Sequence, residues 1–264
     1  MRVGVFGAGG RMGSTVCQAV AADPDLDLVA AVDPYHSGID LRQVAGTLDT
    51  HLQIAPDASA LEAAAVEVAV DFTEVGAARE NLRWCASHGV HAVVGTTGFT
   101  DADYDELRSL FGRDGGPNCL VAPNFAIGAV LMMHMAALAA PFFETAEIIE
   151  MHHDGKVDAP SGTAMLTAER MAAASTDWGK DPTTQHSLDE ARGGEGPGGI
   201  RVHAVRMRGT VAHQEVILGT TGQTLSIRHD SFDRTSFMPG VVLAVKAVAD
   251  RPGLTVGLES LLGI

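Results

Sequence analysis

Gly7-Ala8-Gly9-Gly10-Arg11-Met12-Gly13 follows directly on five strand-like residues, Arg2-Val3-Gly4-Val5-Phe6, and opens an amphipathic stretch running to residue 22. Strand, glycine turn and helix in that order form an anion cradle. Backbone N–H groups and the positive end of the helix dipole face the ligand, and the missing side chains let a pyrophosphate approach. A tight turn with close helix packing would use the same glycines, so the triplet needs a second mark. Asp33 supplies it, twenty residues beyond Gly13 at the end of an apolar run, where a carboxylate accepts hydrogen bonds from a ribose diol. Asp33 repels a 2′-phosphate and favours NADH, while Arg11 compensates in part and admits NADPH.

The pattern outward from this turn predicts strands over 3–6, 28–32, 66–72, 91–94 and 119–121, alternating with helices over 11–22, 76–87 and 101–111. Such alternation means parallel strands joined by right-handed crossovers, and near-continuous apolar strands suit a sheet covered on both faces. After Asn124 the rhythm changes. A helix over 128–140, a strand over 147–153, a helix after Pro160, a glycine loop at 193–199 and alternating runs at 200–207, 211–219 and 224–229 are expected, the last three as an antiparallel meander. A helix over 239–249 precedes a short tail. The fold expected is α/β, with a Rossmann-like parallel-sheet domain first and an α+β domain with a mixed, largely antiparallel sheet after it.

Composition limits the partners. The 264 residues carry a net charge of -15, which argues against nucleic acid or an anionic membrane surface, since both need clustered Lys and Arg. An anionic substrate must then meet a local cationic cluster. Three scattered cysteines without a C-x-x-C, and an N-terminus that reads directly as a strand, fit a reducing cytoplasm. Residues 122–143 lack any charge but contain Pro123, Asn124, His134 and Pro141, with no flanking Lys or Arg, and are read as a buried helix and not a membrane span.

Two more turns follow strands of the first sheet, Asp71-Phe72-Thr73 and Gly95-Thr96-Thr97-Gly98, and Ala122-Pro123-Asn124-Phe125 follows a third. Ligands of open parallel sheets lie beyond the carboxyl ends of the strands, so these loops are candidate nucleotide contacts. The densest constellation is Glu150-Met-His-His-Asp-Gly-Lys-Val-Asp-Ala-Pro-Ser-Gly-Thr163. Its two imidazoles and one ammonium are proton donors tunable by burial, and Ser161-Gly162-Thr163 stands at a helix start whose amides hold a carboxylate. A metal site from His152, His153 and Asp154 is disfavoured because neighbours on a strand point to opposite faces, and Ser161 lacks a G-x-S-x-G elbow. A helix cap beside surface histidines is the structural alternative. Arg206, Arg208, Arg228, His203, His213 and Arg234 are basic groups that sequence alone does not rank.

With these residues quoted, the chain resembles the dihydrodipicolinate reductase (4-hydroxy-tetrahydrodipicolinate reductase) family of bacterial diaminopimelate and lysine biosynthesis over essentially its whole length. The motifs are Gly7 to Gly13, Val70-Asp-Phe-Thr73, Gly95 to Gly98, Ala122 to Phe125 and, most specifically, H-H-x-x-K-x-D-x-P-S-G-T in Glu150 to Thr163. The resemblance implies NAD(P)H-dependent reduction of a cyclic dicarboxylate, with His152 as general acid/base, Lys156 as proton donor, His153 as substrate ligand, and Gly162 with Thr163 as carboxylate grip. It also implies nucleotide contacts from Gly7, Ala8, Gly9, Gly10, Arg11, Met12, Asp33, Gly95, Thr96, Thr97, Ala122, Pro123, Asn124 and Phe125. Implied too are a nucleotide-binding domain of residues 1–126 and 236–264, a substrate and oligomerisation domain of 127–235, and a homotetramer without a metal. Gly9 departs from the lysine of some family members, removing a charge near the phosphates. Rival readings are another two-domain dehydrogenase of a small amino-acid precursor, or an NAD(H)-sensing protein without catalysis. A semialdehyde enzyme would want a catalytic cysteine in the second domain, and no cysteine lies beyond residue 119.

Overall fold

Val3 and Val5 are fully buried on β1 (Arg2–Phe6), and the glycine turn carries the chain from that strand into α1 (Arg11–Ala22). The computed structural model describes residues 1–46, 48, 50–113, 115–189 and 191–264. They form two compact units, Met1–Phe125 with Phe237–Ile264, and Ala126–Ser236. In the first, β2 (Asp27–Val32) pairs parallel with β1. Two short helices, α2 (Arg42–Ala45) and α3 (Ser59–Ala63), follow where periodicity marks no element. Then come β3 (Val68–Asp71), α4 (Val75–Ser87), β4 (His91–Val94), α5 (Asp101–Leu110) and β5 (Cys119–Val121). Thr100 and Asp103 start α5 with reciprocal side-chain and backbone hydrogen bonds, which satisfies amides that a helix start leaves open.

The second unit begins with α6 (Ile127–Ala139). It is buried along Ala129, Val130, Met132, Met133 and Ala136, whereas Leu131, Met135 and Leu138 are exposed. The uncharged stretch is therefore buried on one side only, a correction to the expectation of a buried helix. No helix among the described residues is long and apolar enough to cross a membrane. β6 (Thr145–His152), α7 (Gly162–Ala174), β7 (Gly194–Glu195), β8 (Arg201–Arg206), β9 (Ala212–Thr220) and β10 (Gln223–Ser231) follow. The sheet runs β10-β9-β6-β8-β7. Its core packs Ile148, Val202, Val216 and Leu218 against Ala164, Ala168 and Met171 of α7.

This order corrects the expected meander. Only β9 and β10 form a hairpin, while β6 lies between β8 and β9, parallel to the first and antiparallel to the second. Three consecutive alternating runs specify a buried face but not a neighbour, and α7 with its following loop provides the long crossover that a parallel β6–β8 pair requires. Part of the glycine loop is itself the edge strand β7, paired with β8.

Phe237–Ile264 completes the first unit. It contributes α8 (Met238–Ala247), β11 (Leu254–Val256) and α9 (Glu259–Leu262). The expected plain tail thus supplies a sixth strand, paired parallel with β5, and the sheet order is β11-β5-β4-β3-β1-β2. Asn118 anchors this return by donating to the carbonyls of Val248 and Ala249 and accepting from Gly253 N.

Candidate active site

In the first unit the turn is built by its own amides. Gly7 N and Ala8 N donate to Val32 O at 2.8 and 3.2 Å, and Gly10 N donates to Gly7 O at 2.9 Å. Gly7 takes φ +71°, and a β-carbon on Gly13 would collide with the Gly7 carbonyl. Glycine at both ends is therefore what lets α1 start against β1. The first-turn amides of Arg11, Met12 and Gly13 have no intrahelical partner and remain for an anion at the helix start.

Asp33 is buried, its Oδ2 accepting from Gly9 N at 3.0 Å and its Oδ1 from Tyr35 N at 2.9 Å. His36 Nδ1 lies 3.2 Å from the same carboxylate. A β-carbon on Gly9 would run into the His36 ring, so His36 fills the space a lysine at position 9 would enter. Beyond the carboxyl ends of β1, β2 and β3 lies a cavity of about 440 Å³, lined by Gly7, Gly10, Asp33, Tyr35, Phe72 and Thr73 among others, with Asp57, Glu74 and Glu80 adding negative charge.

The buried carboxylate of Asp71 joins the neighbouring loops. Asp71 Oδ1 accepts from Thr73 N at 2.9 Å, Thr73 Oγ1 at 2.7 Å and Thr96 Oγ1 at 3.0 Å, while Oδ2 accepts from Asn81 Nδ2 at 2.7 Å. Thr96 is thus a buried brace, and Thr97 beside it is exposed. Gly95 has no room for a β-carbon against the Phe72 ring, which packs on Phe125 with centroids 5.7 Å apart. Ala122 is fully buried with its N–H on Val94 O, Phe125 is buried, Pro123 is exposed and Asn124 is half-buried. Arg11 is exposed and Met12 half-buried.

In the second unit β6 ends at His152, whose side chain is 16% exposed, and the chain then turns so that His153 is exposed. His152 Nδ1 lies 2.6 Å from Glu150 Oε2. Burial pushes the His152 ring below its ordinary pKa, helped by the Lys156 and Arg206 charges and opposed by Glu150. Glu150 is fully buried, which raises its carboxyl, but Arg206, His152 and the Ser161 amide together hold it below the usual carboxylate range. Lys156 Nζ is held by Asp158 at 2.7 and 2.8 Å. Ser161 caps α7 through Ala164 N and gives its own N–H to Glu150 Oε1 at 3.0 Å. A β-carbon on Gly162 would meet nothing within 4 Å, so the helix start is open beside Gly162.

The structure therefore gathers His152, Ser161 and the start of α7 around Glu150, with Lys156 held by Asp158, and it selects Arg206 from basic groups that sequence left unranked. Glu150 and Arg206 meet because β6 and β8 are parallel neighbours, with His152 opposite Arg206 in register. The three cysteines are buried, and burial pushes the Cys17 thiol to about 12, which removes a thiolate nucleophile.

Family models described as dihydrodipicolinate reductase, N-terminus and C-terminus, match residues 1–125 and 128–262. The 4-hydroxy-tetrahydrodipicolinate reductase of Thermobifida fusca is 52% identical, covering 100% of both chains. That of Cutibacterium acnes is 50% identical over 100% of this chain and 99% of the relative. A dipicolinate-bound dihydrodipicolinate reductase from Paenisporosarcina sp. TG-14 superposes with a TM-score of 0.85 at 38% identity, over 98% of each chain. An amine dehydrogenase from Mycobacterium smegmatis, 18% identical with a TM-score of 0.66 over 97% of this chain and 94% of that one, shares the fold. The chain belongs to the dihydrodipicolinate reductase family, whose members are NAD(P)H-dependent oxidoreductases.

Proposed function

We propose that this chain reduces 4-hydroxy-tetrahydrodipicolinate to tetrahydrodipicolinate in diaminopimelate and lysine biosynthesis, with His152 and Lys156 supplying the proton. The observation that carries this reading is the cluster in which a half-buried imidazole, a guanidinium and a helix start surround one buried carboxylate, with the Lys156 ammonium acting on the same imidazole. The nicotinamide nucleotide, held at the glycine turn, supplies the hydride. Loss of water from the substrate leaves a conjugated cyclic imine, and its reduction consumes one hydride and one proton at the neighbouring carbon. Gly162 and Thr163 at the start of α7 receive one substrate carboxylate, and His153 receives another part of the dianion. The experiment is to follow NADH absorbance with freshly generated substrate, adding 2,6-pyridinedicarboxylate as a planar diacid competitor. No substrate-dependent oxidation refutes the reading.

The His152 ring is held below its ordinary pKa, first by burial. A bound dianion favours the imidazolium, so 2,6-pyridinedicarboxylate is expected to bind with proton uptake at pH values above the depressed pKa of His152. Calorimetry in two buffers of different ionisation enthalpy measures this, and zero uptake refutes it.

The acidic wall formed by Asp33, Asp57, Glu74 and Glu80 supports NADH as the preferred nucleotide, and Arg11 supports some use of NADPH. Asp33→Ala is expected to move the NADH to NADPH ratio of kcat/KM toward NADPH, whereas an unchanged ratio takes Asp33 out of ribose recognition. Because Asp33 also receives the amides of Gly9 and Tyr35, weaker binding of both nucleotides should accompany the shift. A homotetramer built through the sheet of the second unit, in the cytoplasm, completes the proposal. Light scattering tests the tetramer.

A further inference from the structure

We propose that Glu150, clamped by Arg206, is the positioning residue that sets the tautomer of His152 and so decides which ring nitrogen handles the proton; this rests on the assignment of proton transfer to His152. Glu150 has no solvent-exposed surface, and both its oxygens are used. Oε1 accepts from Arg206 Nη2 at 2.8 Å and Ser161 N at 3.0 Å, while Oε2 accepts from Arg206 Nη1 at 2.8 Å and lies 2.6 Å from His152 Nδ1. A carboxylate facing a guanidinium fork is ionised and can only accept. A ring nitrogen at 2.6 Å from it must carry its hydrogen, since the other tautomer sets a lone pair against a negative oxygen. Nδ1–H therefore belongs to Glu150, and Nε2 is left bare to take a proton and to pass it on.

Arg206 extends the arrangement. Its Nη2 also donates to Asp158 O at 2.6 Å, and the Asp158 carboxylate holds Lys156 Nζ. One guanidinium thus fixes the carboxylate behind the imidazole and the loop that carries the ammonium. Through Ser161 N the same carboxylate pins the start of α7. The charged groups acting on His152 are Glu150, Lys156 and Arg206, with Asp158 paired to Lys156. Among these Glu150 alone touches the ring as an acceptor.

The test uses the full-length protein labelled with nitrogen-15 in its histidine rings, the His152 signals being identified by their loss in His152→Asn. Above neutral pH the wild-type ring is expected to be protonated on Nδ1 and bare on Nε2. In Glu150→Gln the amide is free to donate to Nδ1, so the other tautomer should gain population. In the same variant kcat should fall by about a hundredfold or more, with nucleotide KM unchanged. A wild-type ring protonated on Nε2 overturns the proposal, and this measurement does not depend on Glu150→Gln folding. So does a Glu150→Gln enzyme with the wild-type tautomer and undiminished kcat. Full turnover by His152→Asn overturns instead the assignment of proton transfer to His152.

Discussion

Replacing His152 by alanine is expected to lower kcat by about a hundredfold to ten-thousandfold while the affinity for NADH stays at its wild-type value. The size follows from the chemistry. Hydride delivery to a conjugated imine builds electron density that a positioned proton must quench, and a general acid is typically worth that factor. The retained affinity follows from the fold, because the glycine turn and Asp33 belong to a compact unit that does not contain His152. Lys156→Ala should act in the same direction. Its Nζ is held by Asp158, so releasing that carboxylate leaves an extra negative charge near the anion site and should raise substrate KM as well. Stopped-flow or steady-state absorbance of NADH, with nucleotide binding followed by fluorescence, separates these effects. Normal turnover in both variants removes His152 and Lys156 from the mechanism.

Arg206→Met is expected to destabilise the second unit by about 3 kcal/mol in denaturant unfolding. It strips the guanidinium from a carboxylate with no exposed surface, and an uncompensated buried charge is costlier than the pair is favourable. The value is set at the lower end of the usual range because the Arg206 side chain is 19% exposed and already partly solvated. Glu150→Met combined with Arg206→Met should recover much of the loss, since it removes the stranded charge as well. A single variant as stable as wild type would show that the buried Glu150 carboxylate does not depend on the guanidinium.

The same cluster makes stability fall on acidification. Glu150 is held below the ordinary carboxylate range, so its contribution is complete above that range and is lost as the pH drops through the depressed value. His152 is also held below its ordinary value, so protons bind the unfolded chain more readily, and stability declines as the pH falls below that of a free imidazole.

The first unit was largely legible in residue order because its signals are local. β4, β5 and α1 begin and end where alternation and glycine placement put them, whereas the sixth strand, Leu254–Val256, is marked only by its pairing with β5. The start of α7 was legible from Pro160-Ser161-Gly162 for the same reason, a cap being a matter of a few adjacent groups. Arg206 was not, since it lies 56 residues from Glu150 and nothing near it differs from other basic residues on alternating strands.

Residue order by itself determined the glycine turn, Asp33 at its strand end, the α/β alternation and the helix start after Pro160, because turn geometry, helix starts and burial periodicity depend on neighbours within a few positions. Tertiary structure alone decided that β6 separates β8 from β9, that the chain end adds β11 beside β5, and that Arg206 grips Glu150 behind His152. A strand's pattern states which face it buries, whereas its partner is chosen by competition among distant strands for the same edge, and only the folded sheet records that outcome.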